Sequence, residues 1–279
     1  MPLATTADIV TSASRDGRGV GAFNMIQLEH AEAIVAGAAD ADRPVIMQVS
    51  ENAVRYHGGL EPVALAALSI ARHAAVPVAV HLDHATSRDL VDEAVRLGFA
   101  SVMFDASNLA YEANVAATAE VVARCHEQGV WVEAELGEVG GKDGVHAPGA
   151  RTDPEEAAGF VAATKVDALA VAVGTSHAML TRDATLDFEL IGALGTRLAV
   201  PLVLHGSSGV SDQDLTRAVA AGMTKVNIAT HLNNAFTAAV RAYLGENPSV
   251  VDPRKYLGKA RELVAAEVGR LLRLLAGSG

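Results

Sequence analysis

A single cysteine, Cys125, stands among 279 residues. No internal disulfide can form, so a reduced, cytoplasmic setting is expected. Aromatic residues make up only 4% of the chain, so the core has to be built from alanine, valine and leucine. That is the usual filling of a parallel α/β protein. No uninterrupted apolar run nears the roughly 18–20 residues of a bilayer crossing, so no membrane association is expected. The opening Met1-Pro2-Leu3-Ala4-Thr5 has neither the basic nor the apolar region of a secretory signal. Positive charge is also in deficit: 22 Lys and Arg against 33 Asp and Glu leave −11, which argues against nucleic-acid binding. A small anionic substrate stays open, because backbone amides and one or two local cations can hold it.

What the chain does have is alternation. Apolar, β-branched runs predict strands over 20–25, 44–50, 76–84, 101–106, 130–137, 167–174, 201–206 and 225–230. Helical spacing falls between them, over 28–39, 61–73, 87–97, 112–128, 154–163, 188–194 and 212–221. Eight strands separated by helices in about 210 residues predict a (β/α)8 TIM barrel of the α/β class. An extra helix at 6–14 is expected to close the amino-terminal end, and 231–243 with 253–275 to form a helical tail. No linker interrupts the pattern, so residues 1–279 are expected to form a single barrel domain.

Polar residues gather at the carboxyl ends of these strands, where such barrels keep their chemistry. Asn24, Ser50, Glu51, Asp83, His84, Asp105, Glu133, Glu135 and Asn227 all lie there. His177 and His205 follow their strands as His84 does its own. Three histidines from three strand ends suit a catalytic zinc, which takes three protein ligands and keeps one position open. The small residues of Gly206-Ser207-Ser208-Gly209 and Asn227-Ile228-Ala229-Thr230 follow strands seven and eight, where backbone N–H groups can approach a phosphate. The glycine-rich stretch 137–149 has the length and composition of a lid.

Lys225 is the one lysine in a predicted strand. It is placed at the strand's start, away from the mouth, and read as structural, which disfavours Schiff-base chemistry. His30, His73 and His126 lie on helical patterns and read as surface or satisfied core residues. His81 shares a strand face with Asp83 and is expected to orient it. His57, His146 and His231 lie near the mouth. For Asp83, a helix N-cap or a partner of a metal-bound histidine is the alternative to a catalytic role.

Taken in order, several segments resemble the class II, zinc-dependent ketose-bisphosphate aldolases. They are Gly21-Ala22-Phe23-Asn24, His81-Leu82-Asp83-His84, Ser101-Val102-Met103-Phe104-Asp105 and Glu133-Ala134-Glu135-Leu136-Gly137. Gly174-Thr175-Ser176-His177, His205-Gly206-Ser207-Ser208-Gly209-Val210, Lys225-Val226-Asn227-Ile228-Ala229-Thr230 and Asp252-Pro253-Arg254-Lys255-Tyr256 complete the series. The resemblance implies reversible cleavage of a ketose 1,6-bisphosphate to dihydroxyacetone phosphate and an aldehyde through a zinc-stabilised enediolate. Fructose 1,6-bisphosphate is the default substrate, and tagatose 1,6-bisphosphate or a related sugar phosphate the alternative.

The same resemblance implies that His84, His177 and His205 bind zinc and that Asp83 is the catalytic acid/base. Asp105 and Glu135 would be auxiliary carboxylates of the metal site, which allows a second ion, and Asn227 would contact the enediolate. Asn24 and Ser50 are candidate substrate contacts. At least a homodimer, or a homotetramer, is implied, with Arg254 reaching the distal phosphate across the interface; a local pair with Asp252 is the alternative. The tail's apolar positions Leu257, Ala260, Leu263, Val264, Val268, Leu271, Leu272 and Leu275 exceed what one barrel face needs, in keeping with a partner.

Two departures stand out. Relatives carry His-Gly after strand six, with the glycine amide near a monovalent cation (Na+ or K+) and the phosphate; this chain has His177-Ala178. Many relatives carry a lid Glu that moves the substrate proton; the nearest position here is Asp143, one methylene shorter, with Glu138 the alternative. Outside the family, a barrel metallohydrolase typically shows His-x-His on the first strand and Asp on the last, where this chain has Asn24 and Asn227. A barrel used only for binding would not need three ligands and an acid.

Overall fold

Strands covered on both faces need near-continuous apolar runs, and the chain supplies eight of them. The structure is a computed structural model and describes residues 3–137, 151–175, 182 and 184–277. The strands are β1 (Val20–Asn24), β2 (Val45–Ser50), β3 (Val78–Ala85), β4 (Ser101–Phe104), β5 (Trp131–Leu136), β6 (Ala168–Val171), β7 (Leu202–Leu204) and β8 (Met223–Ile228). All pair in parallel in chain order, and β8 closes onto β1. The helices are α1 (Thr6–Arg15), α2 (Leu28–Ala41), α3 (Glu51–His57), α4 (Glu61–Arg72), α5 (Arg88–Leu97), α6 (Tyr111–His126), α7 (Pro154–Thr164), α8 (Phe188–Arg197), α9 (Asp212–Ala221), α10 (Thr230–Glu246) and α11 (Pro253–Leu275). This is the (β/α)8 barrel that the alternation predicts.

Local chemistry starts several helices. Asp153 accepts from the backbone N–H groups of Glu155 and Glu156, and Pro154 opens α7 with its φ already set. Asp187, Ser211 and Asp252 cap α8, α9 and α11 in the same way. Each such cap stabilises its helix by about 1 kcal/mol.

Alternate strand residues face the barrel axis, and they form layers. At the amino-terminal end Ala22, Ile46, Ala79, Trp131, Ala170 and Val203 make an apolar plug with Ile9, Val10 and Ala13 of α1. The predicted extra helix therefore does close that end. Above the plug lie Gln48, His81, Ser101, Glu133 and Lys225, all out of reach of solvent. A fully polar layer in a barrel interior has to be internally hydrogen-bonded to be tolerated.

α11 lies directly on α2 because Gly37 has no side chain. A Cβ there would come within 2.3 Å of the Ala265 carbonyl oxygen. The contact buries Ala260, Val264, Val268, Leu271, Leu272 and Leu275. Of the eight apolar tail positions, Leu257 is half-buried and only Leu263 is exposed. The apolar surplus expected to face a partner subunit is instead taken up by α2 and α10.

Other differences are local. α3 does not show in the sequence pattern. β8 starts two residues earlier than predicted and ends at Ile228, so Thr230 opens α10 rather than closing a strand. β6 is shorter than predicted because the carbonyls of Ala172 and Val173 bond to the backbone N–H groups of Thr152 and Asp187 instead of a neighbouring strand.

Candidate active site and metal centre

The site begins with an irregularity in β3. Leu82 pairs with Val102 and Ala85 with Phe104, so β3 carries one residue more than β4 over this stretch. His84 sits in that bulge at φ 52°, a left-handed conformation that costs a non-glycine residue about 1–2 kcal/mol. In a regular strand Asp83 and His84 would face opposite sides; the bulge brings both to the mouth.

Asp83 is held from two sides. Its Oδ2 accepts from Asn24 Nδ2 at 2.7 Å and its Oδ1 from Asn227 Nδ2 at 3.3 Å. Each asparagine is fixed from behind: Gln48 Nε2 donates to Asn24 Oδ1 at 3.0 Å, and Lys225 Nζ to Asn227 Oδ1 at 2.8 Å. Burial pushes the Asp83 pKa up, but His84, Lys225 and His205 outweigh it and hold the carboxyl below its ordinary value. Asp83 is no helix cap, because Ser87 takes the N-cap position of α5.

His81 does not orient Asp83, contrary to the sequence expectation. Its Nδ1 pairs with Ser101 Oγ at 2.9 Å, and Ser101 pairs in turn with the hydroxyl of Thr6 in α1. Burial, aided by Lys225, lowers its pKa to about 3 and keeps it neutral. Lys225 also differs from expectation. As the third residue of β8 it runs inside the barrel, with Nζ 2.8 Å from Glu133 Oε2 and bonded to Asn227. It is part of the support of the mouth, not remote from it.

Two histidines meet at the mouth. His84 Nδ1 bonds to Asp105 Oδ2 at 2.8 Å, and Asp105 Oδ1 accepts from Ser107 Oγ at 2.6 Å. His205 bonds through Nδ1 to Glu135 Oε2 and through Nε2 to Glu133 Oε1, both at 3.0 Å. Burial lowers the His205 pKa, but these two carboxylates outweigh it and raise it to about 9. The two rings lie 4.7 Å apart. One donor atom each from His84, Glu135 and His205 lies within 4.8 Å of the other two. Asp105 stands behind His84 instead of among these three, as a carboxylate does behind a metal-bound imidazole. His177, Ala178, Asp143, Glu138 and His146 lie outside the described residues.

The two candidate phosphate loops are clipped together. Gly206 takes φ 66° to enter a 3-10 turn at Ser207–Gly209. Ser207 Oγ donates to the Asn227 carbonyl at 2.5 Å, and Ser208 Oγ accepts from the His231 N–H at 3.1 Å. Gly206, Ser207 and Ser208 are thereby set beside Ile228, Ala229 and Thr230 at the amino end of α10.

Other candidates have local partners. Ser50 Oγ accepts from Ala53 N and caps α3, while Glu51 accepts from Thr86 N at 2.6 Å. His57 bonds to the Ile26 carbonyl and His231 to Glu267. Arg254 pairs with Asp252 at 2.7 Å and its side chain is 89% exposed. His30 is buried against Phe236 with neither ring nitrogen partnered among the described residues, so it is not a satisfied core histidine there; burial lowers its pKa to about 4.

Sequence reasoning missed Gln48, Ser101, Thr6 and the Lys225–Glu133 pair. Period-two alternation puts Gln48 on the face of Ser50 and Ser101 on that of Asp105, so part of the signal was present.

The family model for class II fructose-bisphosphate aldolase matches residues 4–279. The chain is 41% identical over 272 residues to the probable fructose-bisphosphate aldolase of Bacillus subtilis (strain 168), across 96% of this chain and 95% of that protein. It is 40% identical, with the same coverage, to the fructose-bisphosphate aldolase of Staphylococcus aureus (strain Mu50). Among solved structures, the YdjI aldolase from Escherichia coli K12 superposes with a TM-score of 0.84 at 31% identity, covering 98% of this chain and 97% of that one. With this match over nearly its whole length and an aldolase-type barrel mouth, the chain belongs to the class II fructose-bisphosphate aldolase family and is a lyase.

Proposed function

We propose that this enzyme reversibly cleaves fructose 1,6-bisphosphate to dihydroxyacetone phosphate and an aldehyde, with His84, His177 and His205 as the ligands of one catalytic zinc. The carrying observation is the ionised, doubly hydrogen-bonded Asp83 next in sequence to a histidine that shares a donor cluster with His205 and Glu135. Two imidazoles and a carboxylate form a donor set that suits zinc, and the Asp105 carboxylate behind His84 fixes that ring. When bound, zinc supplies Lewis-acid stabilisation of the negative charge that develops next to the breaking bond. Glu135 is its auxiliary carboxylate and Asp105 holds His84 from behind; a second ion would draw on these same two carboxylates.

Asp83 takes the proton of the C4 hydroxyl in cleavage and returns it to the aldehyde oxygen in synthesis. Asn227, its amide oriented by Lys225, contacts the oxygens of the dihydroxyacetone phosphate half, and Asn24 and Ser50 complete the polar wall. Gly206, Ser207, Ser208, Ile228, Ala229 and Thr230 offer backbone N–H groups to the phosphate. By the family resemblance, the Ala178 amide would serve this phosphate together with a Na+ or K+ ion, and Asp143 would move the second proton. A cytoplasmic homodimer or homotetramer, in which Arg254 serves the distal phosphate of a neighbouring site, completes the proposal.

A coupled assay of the zinc-loaded enzyme on fructose and tagatose 1,6-bisphosphates tests the substrate. Higher kcat/KM on the fructose isomer is expected. Preference for tagatose would replace the substrate, and cleavage of neither would overturn the reading.

A further inference from the structure

At the opposite end of the barrel from the mouth, α1, the approaches to β1–β3 and the last turns of α11 line a half-open cavity of about 320 Å³. Binding pockets for small molecules run from about 300 to 1,000 Å³. Much of the wall is apolar, with Ile9, Val20, Pro44, Pro77 and Leu272; two arginines, Arg18 and Arg43, and one carboxylate, Asp8, which accepts from the Thr5 hydroxyl, also line it. Arg18 is paired with Asp16. Arg43 has no hydrogen bond or ion pair from its guanidinium among the described residues, and its Nε is buried without an acceptor. Its backbone is pinned between Asp42, which closes α2 in the left-handed conformation, and Pro44, which leads into β2.

The buried Nε is out of reach of a ligand in the cavity, but a guanidinium whose terminal nitrogens also lack a partner among the described residues is uncommon and calls for an explanation. A guanidinium presents a planar fork that matches a carboxylate through two parallel hydrogen bonds. Apolar walls around such a fork favour a ligand with an apolar body over a hydrated inorganic ion. With one unpaired cation, and the Asp8 carboxylate also in the wall, the site tolerates a monoanion placed on Arg43 better than a phosphate dianion. We propose that this cavity is a second binding site, for a small aromatic carboxylate. Its ring lies against Ile9, Val20 and Leu272 and its carboxylate sits on Arg43. The apolar plug separates this site from the mouth. Because the ligand touches both α1 and α11, it also stabilises the folded chain by mass action.

The test titrates the zinc-loaded, full-length enzyme with 2-naphthoate by calorimetry, using 2-naphthalenemethanol as the uncharged match. One saturable site per chain is expected, with the alcohol about tenfold weaker, the usual scale for a hydrogen bond to a charged group. Excess dihydroxyacetone phosphate should not displace the acid. Arg43→Met should lose about the same factor while retro-aldol kcat/KM and the circular dichroism spectrum stay unchanged. Ser12→Trp, on an exposed position of the cavity rim, should block the site by filling it. Absence of saturable binding, displacement by dihydroxyacetone phosphate, equal affinity for acid and alcohol, or full affinity in folded Arg43→Met would each overturn the proposal.

Discussion

Lys225 Nζ lies 2.8 Å from Glu133 Oε2 in the middle of the barrel, with both side chains fully buried. Glu133 also accepts from His205, and Lys225 donates to Asn227. Burial pushes the Glu133 pKa up, but Lys225 and His205 outweigh it and hold it well below the usual carboxylate range. One ion pair beneath the mouth thus bears on both groups above it, the histidine and the asparagine.

Lys225→Met leaves the buried Glu133 charge with His205 alone against it, and breaking a buried pair typically costs about 3–5 kcal/mol. Urea unfolding should show a loss of that order. The double variant Lys225→Met/Glu133→Gln should regain most of the stability and still turn over slowly, because Asn227 has lost its orienting donor. A single variant as stable as the parent would refute the argument.

Asp83→Ala should keep the fold and the zinc while lowering turnover by about 10²- to 10⁴-fold, the usual share of general acid–base catalysis. Metal analysis beside the kinetics decides the matter. Loss of zinc would make Asp83 a structural partner of the metal.

His205→Ala should lose zinc and activity together, and dialysis of the parent against a chelator should abolish activity until zinc is restored. A fully zinc-loaded, active His205→Ala enzyme would remove this residue from the ligand set.

Acid sensitivity should centre on Glu267 of α11, which accepts from Arg270 at 2.7 Å and from His231 at 2.6 Å. Burial pushes its pKa up, but Arg270 and His231 outweigh it and lower it from 4.5 to about 2. A depressed carboxyl stabilises the fold above its unfolded value and loses that contribution as pH falls through the folded one. The Tm difference between the parent and Glu267→Gln should be full above pH 4.5 and fade towards pH 2. A constant Tm difference across that range would show that Glu267 acts through packing.

The barrel was legible in the sequence because eight apolar runs separated by helical spacing allow few other architectures. The mouth was legible because polar residues at strand ends break those runs. What stayed hidden depends on contacts between distant strands. Lys225 meets Glu133 only after β8 and β5 are arranged around the barrel axis. The capping role of Ser50 and the bond from Thr86 to Glu51 depend on α3, whose seven residues are too few for a clear period. The tail misled because its partner helix, α2, offers Gly37, whose missing side chain says nothing about contact until the two helices meet.

The bulge in β3 bears on any attempt to transplant this chemistry. Asp83 and His84 are adjacent in sequence, yet they serve neighbouring tasks on the same side of the strand, which an uninterrupted strand forbids. Grafting the Asp-His dipeptide alone onto another barrel would aim one of the two side chains into the helical shell. The portable unit is the dipeptide together with the extra residue of β3 and the register of β4 beside it. By the same reasoning, a one-residue deletion between Leu82 and Ala85 would restore regular pairing and leave a tidier sheet with no acid–ligand pair.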